Sequence, residues 1–249
     1  MEKITKLREF MKSQFDKMQN VDTDQSLGRP QPGLEKPAKD AVVKLPPAAD
    51  YQPPNNELSK CIKERRSRRK YTNAPLSLEE LSYLLWTTQG VKQVIKRQDK
   101  AYATLRTVPS AGARHPFETY LFVHNVTGLH SGIYRYIATN HELEQIKVTE
   151  KGKDKLIKAC LNQNFCAECA VTFAWSVVPE RGEWRYSITA HKVMLIDIGH
   201  VCENLYLAAE SIGCGTCGIG AYDQKKMDGL LGLDGENEFV IYLAPVGKI

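Results

Sequence analysis

The chain has 249 residues, 42% apolar and 25% charged, with a formal net charge of +5. That composition is ordinary for a folded chain of one large domain or two small ones, and the mild positive balance does not demand nucleic acid. No apolar run reaches the ~18 residues of a membrane span, and the charged first residues lack a secretory apolar core, so a cytoplasmic protein is expected. Seven cysteines, an odd number scattered through predicted core elements, point to reduced thiols and not to a disulfide framework.

Ile4, Leu7, Phe10, Met11, Phe15 and Met18 recur at helical spacing and predict a short amphipathic helix over residues 4–18. Residues 21–56 then hold seven of the twelve prolines. Proline removes backbone donors and favours extended geometry, so this stretch reads as a surface arm. Disorder and wrapping around a dimer partner are both open to it. The chain thus divides into an arm, 1–56, and a single domain, 57–249.

In the domain, a helical pattern through Leu58, Cys61 and Ile62 leads into the basic run Arg65-Arg66-Ser67-Arg68-Arg69. Ser77 with Glu80 makes a capping box that opens a helix through Leu81, Leu84, Leu85 and Thr88, ended by Gly90. A loop of small residues, Pro109-Ser110-Ala111-Gly112-Ala113-Arg114-His115-Pro116, enters a strand at 119–124, with further strands at 132–136, 143–148 and 170–177. Leu195, Ile198, Cys202, Leu205, Ala209 and Ile212 form the seam of a long helix over 191–211, and a closing strand follows at 239–244. Runs of helices and strands in this arrangement predict an α+β sandwich with a mostly antiparallel sheet.

Two motifs mislead. Gly213-Cys214-Gly215-Thr216-Cys217-Gly218 satisfies the dinucleotide pattern G-x-G-x-x-G, but that fingerprint needs a strand before it and a helix after it, and here the order is reversed. The pairs Cys166/Cys169 and Cys214/Cys217 are 44 residues apart (170 to 213), against roughly 15 to 20 in a usual zinc arrangement. Small buried thiols account for them, and no metal is expected.

Three segments carry the chemistry. Arg65, Arg66, Ser67 and Arg69 offer guanidinium forks and a hydroxyl suited to a phosphate or a ring carbonyl. On its own this run equally fits a solvated basic face or a nucleic-acid patch. The 109–116 loop has small side chains that let backbone amides approach a flat ring, although an ordinary turn would look the same. Gly218-Ile219-Gly220-Ala221-Tyr222-Asp223 again joins glycine to small residues, as a helix C-cap and turn also would.

In this order and spacing the three segments resemble the FMN-dependent nitroreductase superfamily, over nearly everything from residue 58 to 248. Residues 79–86, 109–118, 198–200 and 230–235 resemble in particular the branch that holds the thiazole/oxazole (azoline) dehydrogenases and their stand-alone relatives. The resemblance implies FMN as cofactor, with Arg65, Arg66, Ser67 and Arg69 on the phosphate and the polar ring edge. It implies Pro109, Ser110, Ala111 and Gly112 reaching the flavin from the partner of a homodimer, and Gly220 and Ala221 near N5. Lys248 would stand in for a basic tail that many relatives have. Hydride would pass in ping-pong fashion from NAD(P)H through FMN to a small organic acceptor of nitro, quinone or enone type. Arg66 and Tyr186 are the candidate catalytic residues; Tyr186, Trp175 and Trp184 are candidates for shaping the acceptor pocket. Ala113 and His115 stand where many nitroreductases carry Asn and Gln. Arg185-Tyr186 stands where azoline dehydrogenases carry Lys-Tyr, and an Arg is a poor base because its pKa lies above ~12. Peptide azoline oxidation and a non-catalytic flavin-binding protein are the alternative functions.

Overall fold

The structure is a computed structural model that describes residues 2–148 and 152–249. Helix α1 (Glu2–Arg8), strand β1 (Val42–Lys44), helices α2 (Leu58–Glu64) and α3 (Leu78–Gln89) and strands β2 (Val91–Arg97), β3 (Lys100–Arg106), β4 (Phe117–Val123), β5 (Gly132–Ile137) and β6 (Glu142–Val148) make the first part. Helix α4 (Lys153–Ala159), β7 (Val171–Val177), α5 (Glu180–Tyr186), α6 (Ala190–Ser211), β8 (Cys214–Thr216), α7 (Gln224–Leu231) and β9 (Phe239–Lys248) follow.

Seven strands form one antiparallel sheet in the order β1-β6-β5-β4-β7-β9-β8, and β2 with β3 makes a separate hairpin. Every residue of β4 and β7 is buried, because helices cover both faces of the sheet. Phe117, Leu121 and Val123 of β4 pack towards Leu84 of α3 and Leu205 of α6, while Tyr120 and Phe122 pack towards Leu156 of α4 and Met227 of α7. This is the expected α+β architecture. The capping box is also present: Ser77 Oγ accepts from the Glu80 amide and the Glu80 carboxylate accepts from the Ser77 amide.

Several local expectations fail. The helix over 4–18 is not continuous, since α1 stops at Arg8, 3-10 turns cover Glu9–Met11 and Phe15–Asn20, and Lys12 is extended. Ile4, Leu7, Phe10, Met11 and Phe15 stay exposed, and so short a segment with no packed face cannot sustain a helix. On α6, Ile198, Cys202, Leu205, Ala209 and Ile212 are buried, but Leu195 turns outwards and is 46% exposed beside Ile196. Arg65 caps α2 in an extended conformation, and Ser67 bridges Thr216 in parallel fashion.

The proline-rich stretch is laid over the chain's own sheet. Glu118 accepts from the Lys36 amide at 2.9 Å, and Glu144 accepts from the amides of Lys39 and Asp40. Arg135 donates to the carbonyls of Lys36 and Pro37, and Arg181 to that of Gly33. These four side chains are almost wholly buried and pair with one another: Arg135 with Glu118 at 3.2 Å and with Glu144 at 2.6 Å, and Arg181 with Glu118. A buried charge of this kind is tolerable only while its partners are present, and removing one costs about 3 to 5 kcal/mol. The arm supplies several of those partners.

Candidate functional site

Past α2 the chain is extended, so successive side chains alternate sides. Arg65, Ser67 and Arg69 share one side. The Arg65 guanidinium lies over the Tyr206 ring, 5.1 Å from its centroid, Ser67 Oγ is 3.0 Å from Tyr206 Oη, and the Arg69 guanidinium lies 5.9 Å from the centroid of Phe165. Arg68 points the other way, to Glu210 at 3.0 Å. By the same alternation Arg66 falls on the Arg68 side, where it is exposed. Among the described residues Arg65, Arg66 and Arg69 have no ion pair, which leaves three guanidiniums uncommitted.

Tyr206, two and a half turns along α6 from Asp197, joins this side to the third segment. Its hydroxyl accepts from the Gly218 amide at 2.7 Å while bonded to Ser67. A side chain at Gly218 would collide with the Tyr242 hydroxyl, whereas a Cβ at Gly220 would meet nothing within 4 Å. Gly220 and Ala221 are exposed, and Gln163 holds the Ala221 carbonyl at 2.8 Å. The result is an open shelf of backbone next to free guanidiniums. Such a shelf fits a planar, phosphate-bearing group, since among the described residues no carboxylate pairs with Arg65, Arg66 or Arg69. Tyr206 was not singled out from sequence; its position on a helix of apolar seam residues made it look like core.

The second loop sits elsewhere. Asp197, 6% exposed, accepts from Ser110 Oγ at 2.7 Å and from the Ala111 amide at 2.9 Å, and Ser110 Oγ in turn accepts from the His115 amide. Burial pushes the Asp197 carboxyl up, against the lowering effect of those two bonds and of His200. Gly112 is left-handed (φ +57°), and a Cβ there would lie 2.7 Å from Arg185 Cδ and from Tyr186 Oη, so α5 closes directly on the loop. Burial first, then Arg106, pushes the His115 imidazole down to about 3, and it bonds to the Thr104 backbone. His115 is therefore a neutral core group and not a replacement for a polar ring contact.

Asp197 and Tyr206 are nine residues apart, which on a helix is about 2.5 turns, roughly 13 Å, and opposite faces. One chain therefore brings Arg65, Ser67, Arg69, Gly220 and Ala221 together, and separately Pro109, Ser110, Ala111, Gly112 and Tyr186, but does not bring the two groups together.

Three further candidates are redirected. Lys248 does not join the guanidiniums, because its ammonium pairs with Glu80 and also reaches the Ile212 carbonyl. Trp175 is fully buried in the main core between Phe173 and Tyr242, so it shapes no pocket. Trp184 is 6% exposed and donates to the Arg29 carbonyl at 3.1 Å, fastening the arm. All seven cysteines are buried and free. No helix among the described residues is long and apolar enough to cross a membrane.

Comparison with known proteins identifies the family of the chain. The model of the nitroreductase family matches residues 62–248. A putative nitroreductase of Methanocaldococcus jannaschii is 33% identical over 77% of this chain and 91% of its own length. The trifolitoxin-processing protein TfxB of Rhizobium leguminosarum is 27% identical over 64% of this chain, but this chain spans only 44% of it. Among solved structures, a putative nitroreductase from Anabaena variabilis superimposes with a TM-score of 0.62 at 26% identity, covering 77% of this chain and 38% of that one. The Escherichia coli microcin synthetase complex McbBCD superimposes with a TM-score of 0.60 at 15% identity, over 95% of this chain and 81% of that one, a likeness of fold. With the family model spanning most of the chain and a relative one-third identical along nearly its whole length, the chain belongs to the nitroreductase family.

Proposed function

We propose that the protein is an FMN-dependent oxidoreductase that passes hydride from NAD(P)H to a small organic acceptor by ping-pong exchange. The observation that carries this reading is the convergence of Arg65 and Ser67 with the Gly218 amide on Tyr206, with the free Arg69 guanidinium beyond them over Phe165. Bound FMN would supply the reversible hydride acceptor. Arg69, at the open end beside Phe165, would hold the phosphate with Ser67. Arg65, next to the Gly218 amide, would favour negative charge on the ring's polar edge, as Arg66 would only from a different rotamer. Gly220 and Ala221 would border the reactive edge.

The complete site would be made by a homodimer. Its second half would be Pro109, Ser110, Ala111 and Gly112 of the partner copy, held by that copy's Asp197, and Tyr186 would border the acceptor. Leu195 and Ile196 on α6 and Ile188 before it are large apolar side chains about half exposed, and a second copy would cover them.

A second reading, oxidation of azoline rings in a peptide, has in its favour the similarity to TfxB and to the microcin synthetase complex. Against it stands Arg185, whose guanidinium donates to Tyr102 Oη and cannot take up a proton. The test is direct. Purified protein should be yellow, release FMN and not FAD on denaturation, and bleach with NAD(P)H. Colourless protein that cannot be reconstituted with FMN overturns the reading, and flavin that NAD(P)H leaves oxidised makes it a binding protein without turnover.

A further inference from the structure

Tyr102, on the β2–β3 hairpin, is surrounded by positive charge. The Arg97 guanidinium stacks 3.7 Å from its ring centroid, that of Arg114 lies 4.9 Å away, and Arg185 Nη1 donates to its hydroxyl at 3.1 Å. Among the described residues none of these three arginines has an ion pair; Arg114 is buried and donates to the carbonyls of Gly112 and Tyr102, whereas Arg97 is exposed and Arg185 half-buried. The Gln25 amide also donates to Tyr102 Oη, at 3.0 Å. Two donors therefore occupy that oxygen's lone pairs, and the phenol's own hydrogen has no acceptor among the described residues.

Like charges gathered this closely repel each other, and stacking on an aromatic face offsets only part of that. The arrangement is complementary to an anion. Space for one exists beside it: Arg97, Lys100 and Tyr102 line a groove of about 780 Å³ between the hairpin and residues 30–38 of the arm. The charged arm residues on that groove are already engaged, Glu35 with the Ala138 amide and Thr139, and Lys36 with Glu238. The uncommitted charge of the groove is therefore positive.

We propose that Arg97, Tyr102 and Arg185 form an anion site that takes a phosphate or carboxylate group of a small molecule. Arg97 would supply a fork from the groove, Tyr102 an O–H donor, and Arg185 its remaining N–H groups. Because Arg185 packs against Gly112, the site adjoins the loop that, on the flavin reading above, abuts the partner's ring. The extension that follows rests on that reading: the site selects substrates with an anionic group, either the 2′-phosphate of NADPH or a carboxylate on the acceptor.

The experiment has a binding arm that does not depend on flavin. Inorganic pyrophosphate is titrated calorimetrically into FMN-treated wild-type protein, Arg97→Gln, the double variant Arg97→Gln/Arg185→Gln, and Arg69→Gln as control. Losing charge-assisted bonds should weaken pyrophosphate roughly tenfold or more in the double variant and severalfold in Arg97→Gln, whose exposed side chain holds no other element, while Arg69→Gln retains it. Wild type that binds no pyrophosphate, or Gln variants that bind it unchanged, overturns the site. In the turnover arm, kcat/KM is compared for NADPH against NADH and for 4-nitrobenzoate against nitrobenzene. The double variant should lose about tenfold of one of these preferences, identifying the source of the anion; unchanged ratios in both pairs overturn the selective role. A wild type that binds pyrophosphate but takes up no FMN marks failure of the flavin reading alone.

Discussion

The two ends of α6 are built in opposite ways. Around Tyr206 the protein presents free guanidiniums and open backbone, tied together by one phenol hydroxyl. Around Asp197 a buried carboxylate grips the Ser110 hydroxyl and the Ala111 amide, and the adjoining loop is small, closely packed and without charge until Arg114. The first end can accept an anion; the second can only present a wall. The helix between them holds them on opposite faces. On the proposed flavin reading each end is one half of a site, and the two halves meet only when two copies of the chain do.

The largest expected effect comes from breaking that meeting. Replacing Leu195 and Ile196, both about half exposed, by Glu should leave each chain folded, since neither contributes to the core, yet produce monomers that hold no flavin. Sedimentation and the visible spectrum check this together. Monomers with full flavin occupancy would mean that one end of α6 suffices. Leu205 is the wrong target, although the sequence pattern draws attention to it, because it is fully buried against the sheet.

At the Asp197 end the contrast can be sharpened by pH. His115 is buried and its folded pKa, about 3, lies below its ordinary 6.5, so the folded state binds the proton more weakly than the unfolded one. Its contribution to stability is complete above pH 6.5 and is lost as pH falls through that value towards 3, on the order of 4 kcal/mol at the acid end. His124, pushed down to about 4 mainly by burial, adds a slope of the same sign. Asp197 acts oppositely, since its raised pKa makes the folded state the better proton acceptor just above 3.8. Urea midpoints between pH 7 and 4 should therefore fall steeply in wild type, less steeply in His115→Gln and more steeply in Asp197→Asn. Identical slopes in all three would show that this end of the helix does not titrate as its burial requires.

The main lines of the fold were legible because they obey simple periods: the capping box at Ser77, the α6 seam from Ile198 onwards and the largely apolar β7 all lie where the pattern put them. The β2–β3 hairpin was missed because its turn is Gln98-Asp99, both left-handed, in place of the Asn-Gly that normally announces such a turn. The arm's course was hidden for another reason. It is fixed by Glu118, Arg135, Glu144 and Arg181, which are far apart in sequence and sit on three strands and a helix, so no local pattern joins them. At the candidate site, residue types pointed to two segments that the structure joins through Tyr206, while the extended backbone after α2 decides which arginines share a face. That alternation sets Arg65 and Arg69 with Ser67 and moves Arg66 away.

The alternation predicts the next effect at the Tyr206 end. Arg69→Ala should weaken FMN by roughly one to two decades, since a charge-assisted phosphate contact is worth on the order of 1.5 to 3 kcal/mol. Arg65→Ala should retain more flavin but lower its reduction potential, and Arg66→Ala should do less of either. Dissociation constants and potentials for the three variants test the order. An effect of Arg66→Ala that exceeds both others would mean that the extended segment turns its other face to the flavin.

The smallest expected effect isolates the hydroxyl that joins the two segments at this end. Tyr206→Phe keeps the ring under Arg65 and its packing, and removes only the oxygen that bonds Ser67 and accepts from the Gly218 amide. Two neutral hydrogen bonds are lost, each worth about 0.5 to 1.5 kcal/mol net, but Ser67 is exposed and water can replace its bond. The stability loss should therefore be about 1 kcal/mol, mostly from the Gly218 amide. FMN affinity should fall severalfold, less than for Arg69→Ala, because no charge is removed. Hydride uptake should slow more than binding weakens, because Gly218 leads directly into Gly220 and Ala221, and the hydroxyl fixes the distance between the phosphate side and that backbone. Stopped-flow reduction by NAD(P)H beside FMN titration separates the two. A variant with weaker binding and an unchanged reduction rate would show that Tyr206 only anchors Ser67, and that the third segment holds its position through its own pairing of Ile219 with Leu243 in β9.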